Sequence, residues 1–238
     1  MIYDPSKSIW KNPNIEYLFN DDIIEYDIKD AGFSLIKQHR LLPDETIRNL
    51  EKLGKGEERH IAIGKIQREN KQLAIDLNNK FTEIRSIFIN CNKLTDNDII
   101  SVKKDAIYTI GSCNRVNFGM IHFVAKNRYS SYIRFADIQN LEIYYSAEQI
   151  DIKGMSDSSI NKHRLYMMEF FNTIIPLIES HNSKAKRYLI RFINDYKTHK
   201  LDDEYYVEFN NLSRDLNPIF NYQNILLPMC QIILKEIE

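Results

Sequence analysis

The hydrophobic pattern of this chain changes period twice, and that change limits the folds open to it. Over residues 57–90, Ile66, Leu73, Leu77, Phe81, Ile84 and Phe88 recur at helical spacing and make one apolar face. After a Thr-Asp-Asn-Asp turn at 95–98 the period becomes two. That alternation predicts strands at 99–104, 106–111, 118–124, 129–135 and 141–146, separated by Asn, Gly and Ser turns. From about 157 the helical period returns. Ser156 or Asp157 is placed to cap a helix to about 180, a second helix follows at 183–198, and a last one starts near 222. Upstream, 22–28 reads as a strand and 30–39 as a short helix. Pro43 then opens a helix ending near Gly54 and Gly56. Residues 1–20 read as an extended arm anchored by Trp10 and Tyr17. Strand, helices, antiparallel strands, helices is the order of an α+β fold, and no repeat or low-complexity linker divides it.

Composition excludes several classes. At 238 residues, 43% hydrophobic and 27% charged, the chain is built as a soluble globular protein with a real core. It has no apolar run of membrane-spanning length and no basic-then-apolar leader, so no membrane partner and a cytoplasmic location are expected. Cys91, Cys113 and Cys230 are odd in number and far apart, which suits a reducing compartment and no thiolate metal site. No glycine-rich phosphate loop is present. His39, His60, His122, His163, His181 and His199 show no metal-ligand spacing and no neighbouring nucleophile motif, which argues against a hydrolase triad.

The net charge of −1 conceals segregation. Residues 1–30 carry seven acids against three Lys, and 113–134 carry Arg115, Lys126, Arg128 and Arg134 with no acid. Residues 153–200 carry nine Lys or Arg and four acids, whereas 201–238 carry two basic residues and seven acids. Basic stretches beside acidic ones suit a protein that neutralises a polyanion while keeping carboxylates for a cation. Clustering on an ordinary soluble surface gives the same tally.

Two acidic motifs stand out. Ile23-Ile24-Glu25-Tyr26-Asp27-Ile28-Lys29-Asp30-Ala31 and Ile99-Ile100-Ser101-Val102-Lys103-Lys104-Asp105-Ala106-Ile107-Tyr108 each set an acid inside a strand-like apolar run. A buried carboxylate is costly unless it is paired or holds a cation. Brought together on neighbouring strands, Asp27 and Asp105 would make a divalent-metal site. Each alone reads more readily as a strand-end Asp held by backbone N–H groups. The strands at 129–135 and 141–146 interleave Tyr129, Tyr132, Phe135, Tyr144 and Tyr145 with Arg128 and Arg134. Alternation places Arg128, Ser130, Tyr132 and Arg134 on one face, expected to be free for a nucleic-acid backbone and stacked bases.

Taken together these motifs resemble family-B DNA polymerases of the phage and viral type, in divergent and truncated form. Tyr26-Asp27-Ile28-Lys29-Asp30-Ala31-Gly32-Phe33-Ser34-Leu35 resembles that family's first catalytic motif, in which an Asp ends a palm strand. Val102-Lys103-Lys104-Asp105-Ala106-Ile107-Tyr108 is similar to its Asp-Thr-Asp-Ser hairpin, with Asp105 on the second Asp. Lys126-Asn127-Arg128-Tyr129 resembles its Lys-Lys-x-Tyr motif, and Asp151-Ile152-Lys153-Gly154-Met155 its Lys-Gly signature before the thumb.

The resemblance implies an arm at 1–20, a palm at 21–39 and 97–155, finger helices at 40–96 and a helical thumb at 156–238. It implies Asp27 and Asp105 as catalytic ligands of Mg²⁺ or Mn²⁺. Arg59, Lys65, Arg68 and Lys71 would meet the nucleoside triphosphate, and Lys126, Arg128, Tyr129 and Lys153 the primer–template. Other replication subunits would be partners. The chain departs from the family in four places. Lys103 stands where the hairpin's first Asp belongs, the finger motif Asn-Ser-x-Tyr-Gly is not visible, Ala31-Gly32-Phe33 replaces the sugar-selecting Tyr-Pro turn, and 26 residues ahead of Asp27 leave no room for an exonuclease domain. Two further readings follow: a non-catalytic palm-like module that binds nucleic acid or a replication or host protein, and a viral interaction factor using its acidic C-terminal segment.

Overall fold

In a computed structural model of the chain the described residues are 3–4, 7–136, 138, 141–154, 157–202, 205–208, 219–220 and 226–237; for 157–166, 207–208 and 219–220 only the backbone is described. The N-terminal part contains β1 (Ile9–Lys11), β2 (Tyr17–Leu18), β3 (Ile23–Ile28), α1 (Ala31–His39), α2 (Asp44–Lys52), α3 (Glu57–Glu69) and α4 (Lys71–Cys91). Then come β4 (Ile99–Lys103), β5 (Ala106–Ile110), β6 (Asn117–Phe118), β7 (Ile121–Tyr129), β8 (Ser131–Phe135), β9 (Leu141–Tyr145) and β10 (Ile150–Lys153). The remainder is α5 (Asp157–Ser180), α6 (Asn182–Lys197), β11 (Val207–Glu208), β12 (Ile219–Phe220) and α7 (Leu226–Glu236). Helices and antiparallel sheets lie in separate blocks of the chain, so the α+β class read from the sequence is the one observed.

The chain forms two compact units, Met1–Asn14 with Asp22–Arg128 and Ile15–Asp21 with Tyr129–Glu238. The first is a sheet in the order β1-β4-β5-β3-β7-β6. Alternation sends Ile24, Tyr26 and Ile28 of β3 into a core with Val102, Ile107, Ile121 and Phe123. The apolar stripe of α4 (Leu73, Leu77, Ile84, Phe88) packs into the same core. Glu25 and Asp27 belong to the opposite alternation set and lie across from Tyr108 and Ala106 of β5. The helical pattern predicted as continuous over 57–90 is broken at Asn70, whose side chain accepts a hydrogen bond from the Leu73 N–H and starts α4 afresh. Asn is among the best N-cap residues, and here that local preference overrides the shared apolar stripe.

In the second unit the sheet order is β10-β9-β8-β2. Ile133, Phe135, Leu141, Ile143 and Tyr145 face a core completed by Phe170, Phe171 and Ile174 of α5, Leu189 and Phe192 of α6, and Met229 and Ile233 of α7. The N-terminal arm is more than an extended strap. Trp10 of β1 pairs with Val102, and Tyr17 of β2 pairs with Ile133, so short stretches of it serve as edge strands. The two strands expected at 118–124 and 129–135 are redrawn as well. Gly119 (φ 66°) makes a tight turn between β6 and β7, β7 runs unbroken to Tyr129, and Ser130 divides it from β8.

Candidate functional site

Strand β3 and the β4–β5 hairpin bring the two aspartates together. Asp27 lies across from Ala106, and Asp105 sits in the two-residue turn Lys104-Asp105 that joins β4 to β5. Three features fix that turn. Lys104 takes a left-handed conformation (φ 53°), the Ile28 N–H donates to the Asp105 carbonyl at 3.2 Å, and the fully buried Arg85 of α4 donates from Nη1 to the Lys104 carbonyl at 2.6 Å. Arg85 also donates to the Tyr3 hydroxyl and to Thr82 Oγ1, each at 3.2 Å. Sequence inspection missed Arg85, although an arginine beside Ile84 on an otherwise apolar stripe was a visible signal. Burial first, and then the neighbouring Asp27 carboxylate, push the Asp105 carboxyl above its ordinary pKa. The two groups are therefore close enough to feel each other.

The donor chemistry fits a hard divalent cation. Mg²⁺ is commonly held by one or two carboxylates, with the remaining positions filled by water and substrate phosphate. Among the described residues no group of three or more His, Cys, Asp and Glu converges as a self-sufficient metal cage.

Strand β7 lays successive side chains against two acids of β3 and Asp22 just before it. Lys126 Nζ lies 2.9 Å from Asp27 Oδ2, Asn127 Nδ2 donates to Glu25 Oε2 at 2.6 Å, and Arg128 Nη1 lies 3.3 Å from Asp22 Oδ1. Glu25 is 4% exposed. The hydrogen bond from Lys126 to Asp27 raises the ammonium's pKa. Lys103, on the same sheet face as Asp27 by register, sets its ammonium 5.3 Å from the Tyr108 ring centroid.

The four cations expected to meet a triphosphate do not act as one group. Arg59 is 5% exposed. Its Nη1 is bonded to Asp30 Oδ2, its Nε donates to the Leu50 carbonyl at 3.0 Å, and its Nη2 donates to the Glu51 carbonyl at 3.3 Å. Its guanidinium lies 4.2 Å from the Phe33 ring centroid. Lys65, Arg68 and Lys71 are exposed on α3 and at the start of α4. Just beyond Asp27, at the start of α1, an open cleft is lined by Lys29, Ser34, Lys37, Lys55, Arg59 and His122. Lys37 there is paired with Glu51. Asp30, on the wall of the same cleft, is committed to Arg59.

In the second unit Tyr129 is buried, and its hydroxyl donates to Asp151 Oδ2 at 2.9 Å. Lys153 lies 3.0 Å from the same oxygen. The Arg/Tyr face expected to be open is closed. Tyr132 and Tyr144 are fully buried and donate to the buried Glu142 carboxylate at 3.3 and 3.0 Å, while the Arg134 side chain is 9% exposed and pairs with Glu16. The antiparallel register explains the correction. Tyr132 lies opposite Tyr144 and Arg134 opposite Glu142, so a carboxylate invisible in the local pattern of 128–135 gathers the polar tips inward.

Fold and site thus define an α+β protein that sets two interacting aspartates on neighbouring strands, with basic side chains ranged beside them. Residues 2–234 match the model of the bacteriophage PBS1 gene 130 protein family, and the chain belongs to that family, which makes it a phage protein. No curated protein matches it. No helix among the described residues is long and apolar enough to cross a membrane.

Proposed function

We propose that this phage protein is a metal-dependent nucleotidyltransferase with a polymerase-like palm, acting on a nucleic-acid primer. The observation that carries the reading is the placement of Asp27 at the end of β3 beside Asp105 at the tip of the β4–β5 hairpin. Asp27 and Asp105 would hold Mg²⁺ or Mn²⁺. The bound ion supplies Lewis acidity, lowering the pKa of a primer 3′-hydroxyl and offsetting triphosphate charge. The chain's own part is to place the acids and to present cations. Lys29 and Lys55 are exposed on the cleft next to Asp27 and are suited to phosphate oxygens, whereas Arg59 holds the cleft wall by its bond to Asp30. Lys126 and Arg128, exposed on β7, would neutralise a polynucleotide backbone, and Tyr129 and Lys153 are both bonded to Asp151. Arg85 positions the hairpin.

The test is primer extension with a labelled primer–template, nucleoside triphosphates and Mg²⁺ or Mn²⁺. Incorporation is expected in the native protein and is expected to be lost in both Asp27→Asn and Asp105→Asn. Incorporation that survives both substitutions removes the site. A second reading, a binding module without catalysis, is favoured by one observation: the Lys126 ammonium already neutralises Asp27, and Lys103 replaces the hairpin's first acid. It expects no incorporation with any metal, together with salt-sensitive nucleic-acid binding that weakens in Lys126→Ala and Arg128→Ala.

A further inference from the structure

The two cations of the Lys126-Asn127-Arg128-Tyr129 segment are spent on carboxylates of the chain itself. Lys126 lies on Asp27, Arg128 on Asp22, and between them the neutral Asn127 holds the buried Glu25. The outer two contacts differ from the middle one in access. The side chains of Lys126, Arg128 and Asp22 are 54%, 62% and 53% exposed, so solvent and other anions reach them, while Glu25 is buried. Among the groups near Asp27 and Asp105, Lys126 feels both carboxylates and Glu25 as well. An ammonium 2.9 Å from Asp27 Oδ2 takes up an oxygen that a metal would need, and its charge repels an incoming cation.

We infer that Asp22 and Asp27 act as an internal stand-in for nucleic-acid phosphate, so that a polynucleotide backbone draws off Lys126 and Arg128 and thereby frees Asp27 for a divalent cation. The inference rests on the metal reading of Asp27 and Asp105 given above. A phosphate diester chain offers lysine and arginine an equivalent anion with the added gain of counterion release. Once Lys126 moves, the carboxylate pair is left under-neutralised and its affinity for a cation rises. Linkage makes the effect reciprocal: the metal, by displacing Lys126, strengthens polynucleotide binding by the same factor. The protein then binds metal more tightly when its nucleic-acid substrate is in place.

The factor is set by the strength of a half-exposed ion pair, which corresponds to a change of about three- to fivefold in affinity. Free Mn²⁺ measured by electron paramagnetic resonance gives the binding isotherm without any need for activity. The native protein is titrated with and without a short DNA duplex carrying a 5′ overhang, beside Lys126→Ala, Lys126→Arg and Asp27→Asn, with circular dichroism to confirm folding. The duplex alone sets the background. The expected result has three parts. Lys126→Ala without DNA binds Mn²⁺ about three- to fivefold tighter than the native protein; the duplex tightens binding by a similar factor in the native protein and in Lys126→Arg; and it adds little to Lys126→Ala. If Mn²⁺ binding is abolished by Asp27→Asn yet equal in native and Lys126→Ala protein, the coupling is wrong while the metal site stands. If no Mn²⁺ binding sensitive to Asp27→Asn exists in any variant, the coupling falls together with the metal reading beneath it.

Discussion

The guanidinium of Arg59 decides whether the wall of the cleft beside Asp27 is structural. Its side chain is 6% exposed and that of Asp30 is 11% exposed, so the pair is shielded from solvent on both sides. Removing one partner of such a pair strands the other as an uncompensated charge, at a cost of about 3–5 kcal/mol. Arg59→Met keeps most of the stem volume, so cavity formation adds little, but it also removes the donor to the Leu50 carbonyl, while the Glu51 carbonyl keeps the Gly54 N–H at 3.1 Å. A loss near 4 kcal/mol follows from these terms. Asp30→Asn strands the Arg59 charge but leaves an amide oxygen to accept from it, so its cost is expected at the low end of that range, about 3 kcal/mol. In the double variant no buried charge is stranded, so the combined loss falls short of the sum by about 1–3 kcal/mol. Trp10 is the chain's one tryptophan, is 7% exposed and belongs to the same unit, so its fluorescence during urea unfolding reports on that unit. A loss under about 1 kcal/mol for Arg59→Met, or full additivity in the double variant, refutes the structural assignment and returns Arg59 to the set of phosphate-binding cations.

The thiols and one glycine offer independent checks. Cys91 is exposed, while burial pushes the thiols of Cys113 and Cys230 above the ordinary range. A thiol reagent at pH 8 is expected to titrate Cys91 fast, Cys113 slowly and Cys230 only after unfolding; native Cys230 reacting as fast as Cys91 would contradict the packing of α7. Because both raised thiols favour the protonated folded state, their contribution to stability is complete below the ordinary thiol pKa of about 8.5 and is lost as pH rises through the folded values, which urea midpoints between pH 8 and 10 would reveal. At Gly119 (φ 66°) an added Cβ would lie 2.7 Å from Gln38 Oε1, which itself accepts from the Met120 N–H at 2.7 Å. Gly119→Ala should therefore cost about 1–2 kcal/mol in the same Trp10 assay, and an unchanged midpoint would show that the β6–β7 turn is misassigned.

The fold class was legible because it depends on local periodicity, and α4 and β3 carry that signal in their own residues. The two acidic motifs pointed to Asp27 and Asp105, but the structure sets Asp105 in the turn between β4 and β5 rather than inside a strand. What stayed hidden depends on register between distant strands. Nothing near position 132 announces Glu142, yet that carboxylate turns Tyr132 and Tyr144 inward and closes a face that alternation alone leaves open. Arg59 misled for a different reason. A cation on an amphipathic helix reads as solvated unless its buried partner is known, and Asp30 stands 29 residues away in the chain.

The treatment of the hairpin tip bears on what Asp105 is for. A turn that merely reverses the chain needs neither a side-chain anchor nor a buried cation; two residues with suitable dihedrals suffice. Here a fully buried arginine is committed to the carbonyl of the residue preceding Asp105, and a backbone N–H of β3 holds the carbonyl of Asp105 itself. Burying a guanidinium is costly, so its use at this point indicates that the position of the tip matters more than the stability it forgoes. A tip fixed on two sides sets its carboxylate beside Asp27 with little freedom to drift, which a cation site shared between two strands requires. The adjustable element is then on the other side of Asp27, in the exposed ammonium of Lys126. On the metal reading proposed above, a fixed acid pair with Lys126 as a movable counter-charge would let occupancy by a cation follow that by nucleic acid.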